Sequence, residues 1–466
     1  MRYESGKVQD IRLAYIGGGS RGWAWNFMTD LAMEPSMGGQ VALYDIDRPA
    51  AEANAIIGNG LAMRAETVGH WHYAVADSLE EALTGADFVV ISILPGTFDE
   101  MEVDVHLPER LGIYQSVGDT AGPGGIIRAL RTLPMFIPMA ETIRRVCPDA
   151  WVINYTNPMS LCVRMLYEVY PGIKAFGCCH EVFNTEEILA CAVAEELGIE
   201  PPPREDIHVN VMGLNHFTWF TEASYEGYDI FPMYQRFTER HFEEGFEKPN
   251  TNWMNSSFDC AHRVKMDLFR RYGAIAAAGD RHLAEFMPGD AYLKDPETVR
   301  AWKFGLTPVS WRKEDLQRRL KKSAALVAGS EAVEMKPSGE EGIRIIKAIL
   351  GLGRLVTNVN IPNRGQISNL PHGVVVETNA VFDRDSIKPV LAGEMPEGIL
   401  KLTMPHVKTY ELALQAVKTK DRGCVVEAFL GDPNVSARCH DEAAIRSLVE
   451  DMLRGTAKYL PDGWVK

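Results

Sequence analysis

The chain has 466 residues, 46% hydrophobic and 24% charged, with 48 Lys and Arg against 63 Asp and Glu. That is the composition of a folded globular protein, with length for two or three domains at roughly 150 residues each, and it excludes disorder, collagen and coiled coil. The net charge of −15 repels phosphate backbones and argues against nucleic acid as a partner, yet a pocket with a local arginine can still hold a small anion.

The opening residues 1–10 are polar and mixed in charge, without the pattern of a secretory signal. Strands are predicted at 13–16, 41–44, 88–93, 151–153 and 175–176. Between them helices are predicted at 23–33, 49–66, 78–83, 126–146 and 159–170. This alternation predicts βαβ units and a Rossmann-type parallel sheet. Even the apolar run 88–94 is far short of the roughly 20 residues that span a bilayer, so no membrane partner is expected. A helix follows at 184–197, where Asn184 and Glu187 have the spacing of a capping box. Pro201-Pro202-Pro203 cannot continue it and marks a boundary near residue 200. Beyond it come a strand at 207–212, an aromatic stretch at 217–220, a charged helix at 311–326 and an apolar-periodic helix at 339–355. A strand at 356–361 follows. The charges of 311–326 read as a solvated face. The fold class expected is α/β, with a dinucleotide-binding Rossmann-like domain over 1–200. A mixed α+β catalytic domain over 201–466 would hold substrate and metal.

Gly17, Gly19 and Gly22 fit G-x-G-x-x-G between the first predicted strand and the helix it opens. Glycines there allow a tight turn and close approach of a pyrophosphate, and the helix N-terminus supplies free N–H groups. Asp45 ends the next strand, where a carboxylate can accept from a ribose 2′-OH and favour NAD over NADP. It lies further on than the roughly 20 residues of the compact fingerprint.

The eight cysteines are spread along the chain without a CxxC pair. They read as reduced thiols rather than a disulfide framework, with a cytoplasmic location as the expectation. Cys178-Cys179-His180-Glu181-Val182 follows a predicted strand at the sheet edge where open α/β proteins bind ligands. His216 stands in the apolar stretch Gly213-Leu214-Asn215-His216-Phe217. A thiolate and an imidazole together suit a borderline divalent ion. Each alone also fits a plain core role. Three more polar clusters stand out: the glycine-rich loop holding Asp119, the segment Asn154 to Pro158, and Gly279-Asp280-Arg281-His282-Leu283-Ala284-Glu285. Each also fits a loop held by Asx turns or local ion pairs.

Together these segments resemble family 4 of the glycoside hydrolases, the NAD- and metal-dependent glycosidases, over nearly the whole chain. The resemblance rests on the glycine loop, Asp119 before Gly122-Pro123-Gly124-Gly125, Asn157-Pro158, the tetrad from Cys179 and Asn215-His216. The tetrad, with Ser92-Ile93-Leu94-Pro95-Gly96 and Leu107-Pro108-Glu109-Arg110, looks like the α-galacturonidase branch. The resemblance implies NAD against Gly17, Gly19, Ser20, Gly22, Asp45 and Leu94. It implies Mn²⁺ or a similar divalent metal on Cys179 and His216, and a sugar on Asn157. The proton donor would be His180, where other branches often carry an aspartate, or Asp119, which otherwise binds sugar hydroxyls. The base, often a tyrosine in relatives, would be Asp280 or, second, His282. For a uronate carboxylate, Arg281 and Arg110 are the cationic choices. The implied reaction is oxidation at C3, proton removal at C2, elimination of the aglycone, water addition and re-reduction. The implied partners are a glycoside or uronide and further copies of the chain, as homodimer or homotetramer. The alternatives are an α-glucuronidase or α-galactosidase of the same family, an NAD-dependent hydroxy-acid dehydrogenase, or a non-enzymatic dinucleotide sensor.

Overall fold

Parallel strands need a crossover between them, and the alternating helices of the first half supply it. The computed structural model describes residues 1–249, 251–256 and 258–465. The strands are β1 (Arg2–Glu4), β2 (Lys7–Ile16), β3 (Met37–Tyr44), β4 (His70–Val75), β5 (Phe88–Ile91), β6 (Trp151–Asn154) and β7 (Lys174–Gly177). The second half adds β8 (Ile207–Leu214), β9 (Phe217–Tyr225), β10 (Tyr228–Asp229), β11 (Ile275–Ala276), β12 (Leu355–Pro362), β13 (Val375–Asp383) and β14 (Ser386–Pro389).

The parallel block runs β7-β6-β5-β2-β3-β4. Its middle strands are buried on both faces, so they read as continuous apolar runs. The strand β4 escaped the sequence reading because its exposed and buried residues alternate. The sheet then continues as an antiparallel block, β12, β13, β8, β9 and β10. The join is made where Asn360 of β12 pairs Gly177, the last residue of β7. Sheet and core therefore run across residue 200. One apolar core holds Leu133 and Leu161 together with Met212, Phe217, Leu283 and Val407. A second packs Ile126 and Leu130 against Val425, Phe429 and Leu448.

Two helix boundaries differ from the sequence reading. The helix after β7 spans Glu181–Leu197 and begins at His180, so Asn184 and Glu187 lie inside it and form no capping box. The helix expected at 339–355 is only Gly342–Ile349, because β12 already starts at Leu355. The charged helix is Val309–Val327. Among the described residues, no helix is long and apolar enough to cross a membrane.

Candidate active site at the sheet edge

The glycine loop is fixed by contacts that tolerate no side chain. Gly17 has φ +90°, and a Cβ on it would stand 1.9 Å from the Ser92 carbonyl oxygen. A Cβ on Gly19 would meet Ala50 at 2.6 Å. The buried Asn54 donates to Gly18 O at 2.7 Å and Ser20 O at 3.1 Å, which sets the turn from beneath. Helix Trp23–Met33 starts directly after Gly22 with no side-chain cap, leaving its first N–H groups for an anion. Asp45 accepts from Gly19 N–H at 2.8 Å and from Asp47 N–H at 2.9 Å, and burial raises its pKa. Ile46 and Leu94 lie exposed beside this loop and strand end, at 87% and 47%.

A polar pocket forms where loops from both halves meet. Asp119 lies on the loop before helix Gly122–Val146, His216 in the turn between β8 and β9, and His282 in the short helix Asp280–Phe286. One ligand atom from each of the three lies within 4.8 Å of the others. The two imidazoles lie against each other, tilted by 33°, with centroids 3.8 Å apart. Burial pushes His216 down to about 3 and lowers His282 as well, so both rings are neutral. Burial is the largest influence on Asp119 and opposes its charge, but the Arg128 guanidinium, the two imidazoles and the Thr120 hydrogen bond together outweigh it and hold the carboxyl well below its usual range.

The hydrogen bonds fix a tautomer. The Thr120 hydroxyl donates to Asp119 at 2.7 Å. It therefore accepts at 3.0 Å from His216 Nδ1–H, which leaves a free lone pair on Nε2. Asn157 donates to Asp119 at 3.2 Å. Glu181 stands 3.7 Å from His282 Nε2 and accepts from Gly279 N–H at 2.9 Å. Three buried polar atoms of this pocket have no partner: Asn157 Oδ1, Asn215 Oδ1 and His282 Nδ1. Unsatisfied buried groups are costly, and their grouping here marks a place built for a polar ligand.

Cys179 follows β7 and is buried beside the Asn215 side chain. Its carbonyl accepts from Asn358 at 3.0 Å, and Asn358 and Asn215 both donate to Glu377, at 2.6 and 3.4 Å. Burial raises the Cys179 thiol far above its ordinary value, so it needs a bound cation to ionise. Cys179 lies outside the 4.8 Å set of Asp119, His216 and His282. His180 stands half-exposed at the rim, 2.9 Å from Glu340 and with its ring 5.9 Å from that of Trp23, tilted against it. Burial opposes its charge, but Glu340 prevails and raises the imidazole to about 9.

Asp280, Arg281 and Arg110 do not join this pocket. Asp280 accepts from the N–H groups of Val264 at 3.0 Å and Lys265 at 3.1 Å, closing the start of helix Arg263–Tyr272. Arg281 donates to Gly305 O at 3.2 Å, to Ser116 O at 2.5 Å and to the Thr307 hydroxyl. Arg110 pairs with Asp451 at 2.6 Å on the outside.

The models of a single family match most of the chain: Family 4 glycosyl hydrolase over residues 12–195, and its C-terminal domain over 211–435. The chain belongs to family 4 of the glycosyl hydrolases. An alpha-galacturonidase of Lachnoclostridium phytofermentans is 62% identical to it, with all of both chains covered. A solved structure of lplD from Bacillus subtilis is 53% identical and superposes with a TM-score of 0.91 over 96% of this chain and 100% of that one. A 6-phospho-alpha-glucosidase from gut microorganisms, solved with NAD and Mn²⁺, is 20% identical with a TM-score of 0.78, over 99% of this chain and 100% of that one. At that identity the likeness is one of fold.

In this family 4 chain the sequence reading missed several contributors to the pocket. Glu181 was visible only as part of the tetrad from Cys179. Asn215 was seen only as part of the Asn215-His216 motif, with no role given to it, and Thr120 and Arg128 had no signal of their own. Glu340 and Glu377 lie far along the chain. Glu377 carried one faint mark, a carboxylate directly after the apolar run Val374-Val375-Val376.

Proposed function

We propose that this family 4 glycosyl hydrolase is an α-galacturonidase that uses NAD and a divalent metal, Mn²⁺ by preference, and recycles both. The observation that carries the reading is the joining of a glycine loop and the Asp119–His216–His282 pocket along one sheet edge. The likeness to a full-length alpha-galacturonidase at 62% identity supports the substrate class. The residues fit both groups. Without side chains, Gly17 and Gly19 let the loop pack closely on Ser92 and Ala50 below the uncapped start of helix Trp23–Met33, and the neutral His216 offers Nε2 next to a residue, Asn215, whose Oδ1 is orphaned. Gly17, Gly19, Ser20, Gly22, Asp45 and Leu94 would hold the dinucleotide, and Cys179 and His216 the ion.

When bound, the dinucleotide supplies reversible oxidation at sugar C3, and the ion makes the neighbouring C2–H more acidic. The chain supplies the proton transfers and the positioning. His282, neutral and backed by Glu181, accepts the C2 proton; Asp280 is committed to the helix start and is not needed for this. His180, kept protonated by Glu340, donates to the departing glycosidic oxygen. Asp119 stays ionised, so it serves as an acceptor for sugar hydroxyls rather than as an acid. Asn157 faces the same sugar, with Oδ1 still free. In this reading residues 1–200 carry the dinucleotide and 201–466 close the sugar pocket, to which Asp119, Asn157 and Cys179 are lent by the first half. Eight free thiols and a need for NAD suit action in the cytoplasm. A homodimer or homotetramer is the assembly expected.

A panel of p-nitrophenyl α-glycosides with NAD⁺, Mn²⁺ and reductant tests the reading. Turnover highest on the galacturonide supports it. Turnover confined to a neutral hexoside rejects it, and preference for the glucuronide moves it to the sister activity.

A further inference from the structure

A uronate differs from a neutral hexose by a carboxylate at C6, and a pocket around Asp119 repels that charge unless a cation is near. The inference that follows rests on the galacturonide reading above. Arg281 and Arg110 are already spent, on backbone and hydroxyl oxygens and on Asp451. Arg128 donates from Nε to Asn157 O at 3.3 Å and is the charge that offsets Asp119.

Among the described residues, one guanidinium near the pocket is left. Arg312 lies in the first turn of helix Val309–Val327. Its Nε is buried and has no hydrogen-bond partner, and among the described residues it forms no ion pair. Burial pushes its pKa down, and Asp119 leads the charges that act on it, followed by Arg128, Arg319 and Asp315. Its guanidinium carbon lies 5.5 Å from the Phe258 ring, whose centroid is also 5.2 Å from that of Arg281. Seven residues on, and so on the same helix face, Arg319 donates to Arg21 O at 2.8 Å and lies against Gly22 of the glycine loop. The helix thus runs from the dinucleotide loop to the sugar pocket, about 10 Å between the two arginines at 1.5 Å per residue. Arg319 is neutralised by Asp315 at 2.6 Å; Arg312 has no such carboxylate.

We infer that Arg312 receives the C6 carboxylate of the uronate and sets the preference for an acidic over a neutral sugar. A planar guanidinium matches a carboxylate with two parallel hydrogen bonds, and the orphaned Nε supplies one of them. A lysine offers the charge without the fork.

The test compares the NAD⁺- and Mn²⁺-loaded parent with Arg312→Gln and Arg312→Lys, each checked for an unchanged circular dichroism spectrum. Two quantities are read: the dissociation constant of D-galacturonate against that of D-galactose, and kcat/KM on the p-nitrophenyl α-galacturonide. Gln is expected to weaken galacturonate about 30- to 1000-fold relative to galactose, as for a lost buried charge-assisted pair, with Lys in between. Galacturonate affinity within threefold of the parent, or equal losses for both sugars, overturns the inference. A parent that binds and cleaves only neutral hexosides overturns the galacturonide reading itself, and that result is seen before any variant is made.

Discussion

Two clusters in this molecule, one partly and one fully buried, carry similar donors and are built for opposite ends. Asp119, His216 and His282 meet within 4.8 Å, and so do Cys260, His262 and Asp280. In the second group the polar atoms are taken up from within. Asp280 binds two backbone N–H groups, Cys260 Sγ lies 3.5 Å from His262 Nδ1, and the neighbouring Lys265 donates to Thr185. In the first, His282 Nδ1 and the adjoining Asn157 Oδ1 and Asn215 Oδ1 are left without partners. Donor type alone therefore does not mark a site. What separates the two is which atoms the fold leaves unsatisfied.

The largest expected effects break this contrast directly. His216→Asn removes the free Nε2 from the open group. It should lower kcat/KM by about a thousandfold or more and abolish Mn²⁺ binding, with the melting temperature little changed. Cys260→Ser should keep one Mn²⁺ per chain by titration and near-parent turnover. Loss of the ion there would make the second group the metal site.

Asp280→Ala is expected to act on folding. It frees two N–H groups and leaves Lys265 buried without its counter-charge, for a loss of about 2–4 kcal/mol. The reading is a lower urea midpoint at unchanged slope, with kcat per folded molecule within about tenfold of the parent. A kcat lost completely at full stability would restore Asp280 as the base.

Legibility in the sequence follows the same divide between local and assembled features. The glycine loop, Asp45 and five of the six parallel strands were readable because their signals lie within a few consecutive residues. Asp280 and His282 stood two apart in one polar segment and looked equivalent. On a helix, residues two apart point roughly 200° away from each other, so one meets the pocket and the other meets helix Arg263–Tyr272. Glu181 was masked by the expected helix start at Asn184. Glu340 and Glu377 reach the pocket through the antiparallel block and the loop before Gly342, which no local pattern announces. Helix Val309–Val327 was correctly read as charged, but nothing in its pattern singled out Arg312.

Two smaller effects sharpen the comparison through pH. The His180 imidazole is raised by Glu340 to about 9, so its proton is held below that pH and lost as pH rises through it. The alkaline limb of kcat should lie near there, and Glu340→Gln should pull it toward the ordinary histidine range of about 6.5. An unmoved limb would remove His180 from the acid role. Glu285 accepts from Val117 and Gly118 N–H at 2.6 and 2.8 Å, and burial raises it to about 8. Raised in the fold, it binds its proton more tightly there than in the unfolded chain, so its contribution falls as pH climbs from about 4.5 toward 8. Glu285→Gln keeps an acceptor for both N–H groups and should flatten that slope, gaining about 1 kcal/mol at pH 7.5 by thermal melting. A steeper slope in the variant would contradict the assignment.

In the proposed reaction the chain cleaves an α-galacturonide by removing and returning the C2 proton. Hydrolysis of p-nitrophenyl α-D-galacturonide in D₂O, with NAD⁺ and Mn²⁺ present, tests it in one experiment read by mass spectrometry and NMR of the sugar. Galacturonate carrying deuterium at C2, formed without net accumulation of NADH, is the expected product. Galacturonate with its original hydrogen at C2 would contradict it.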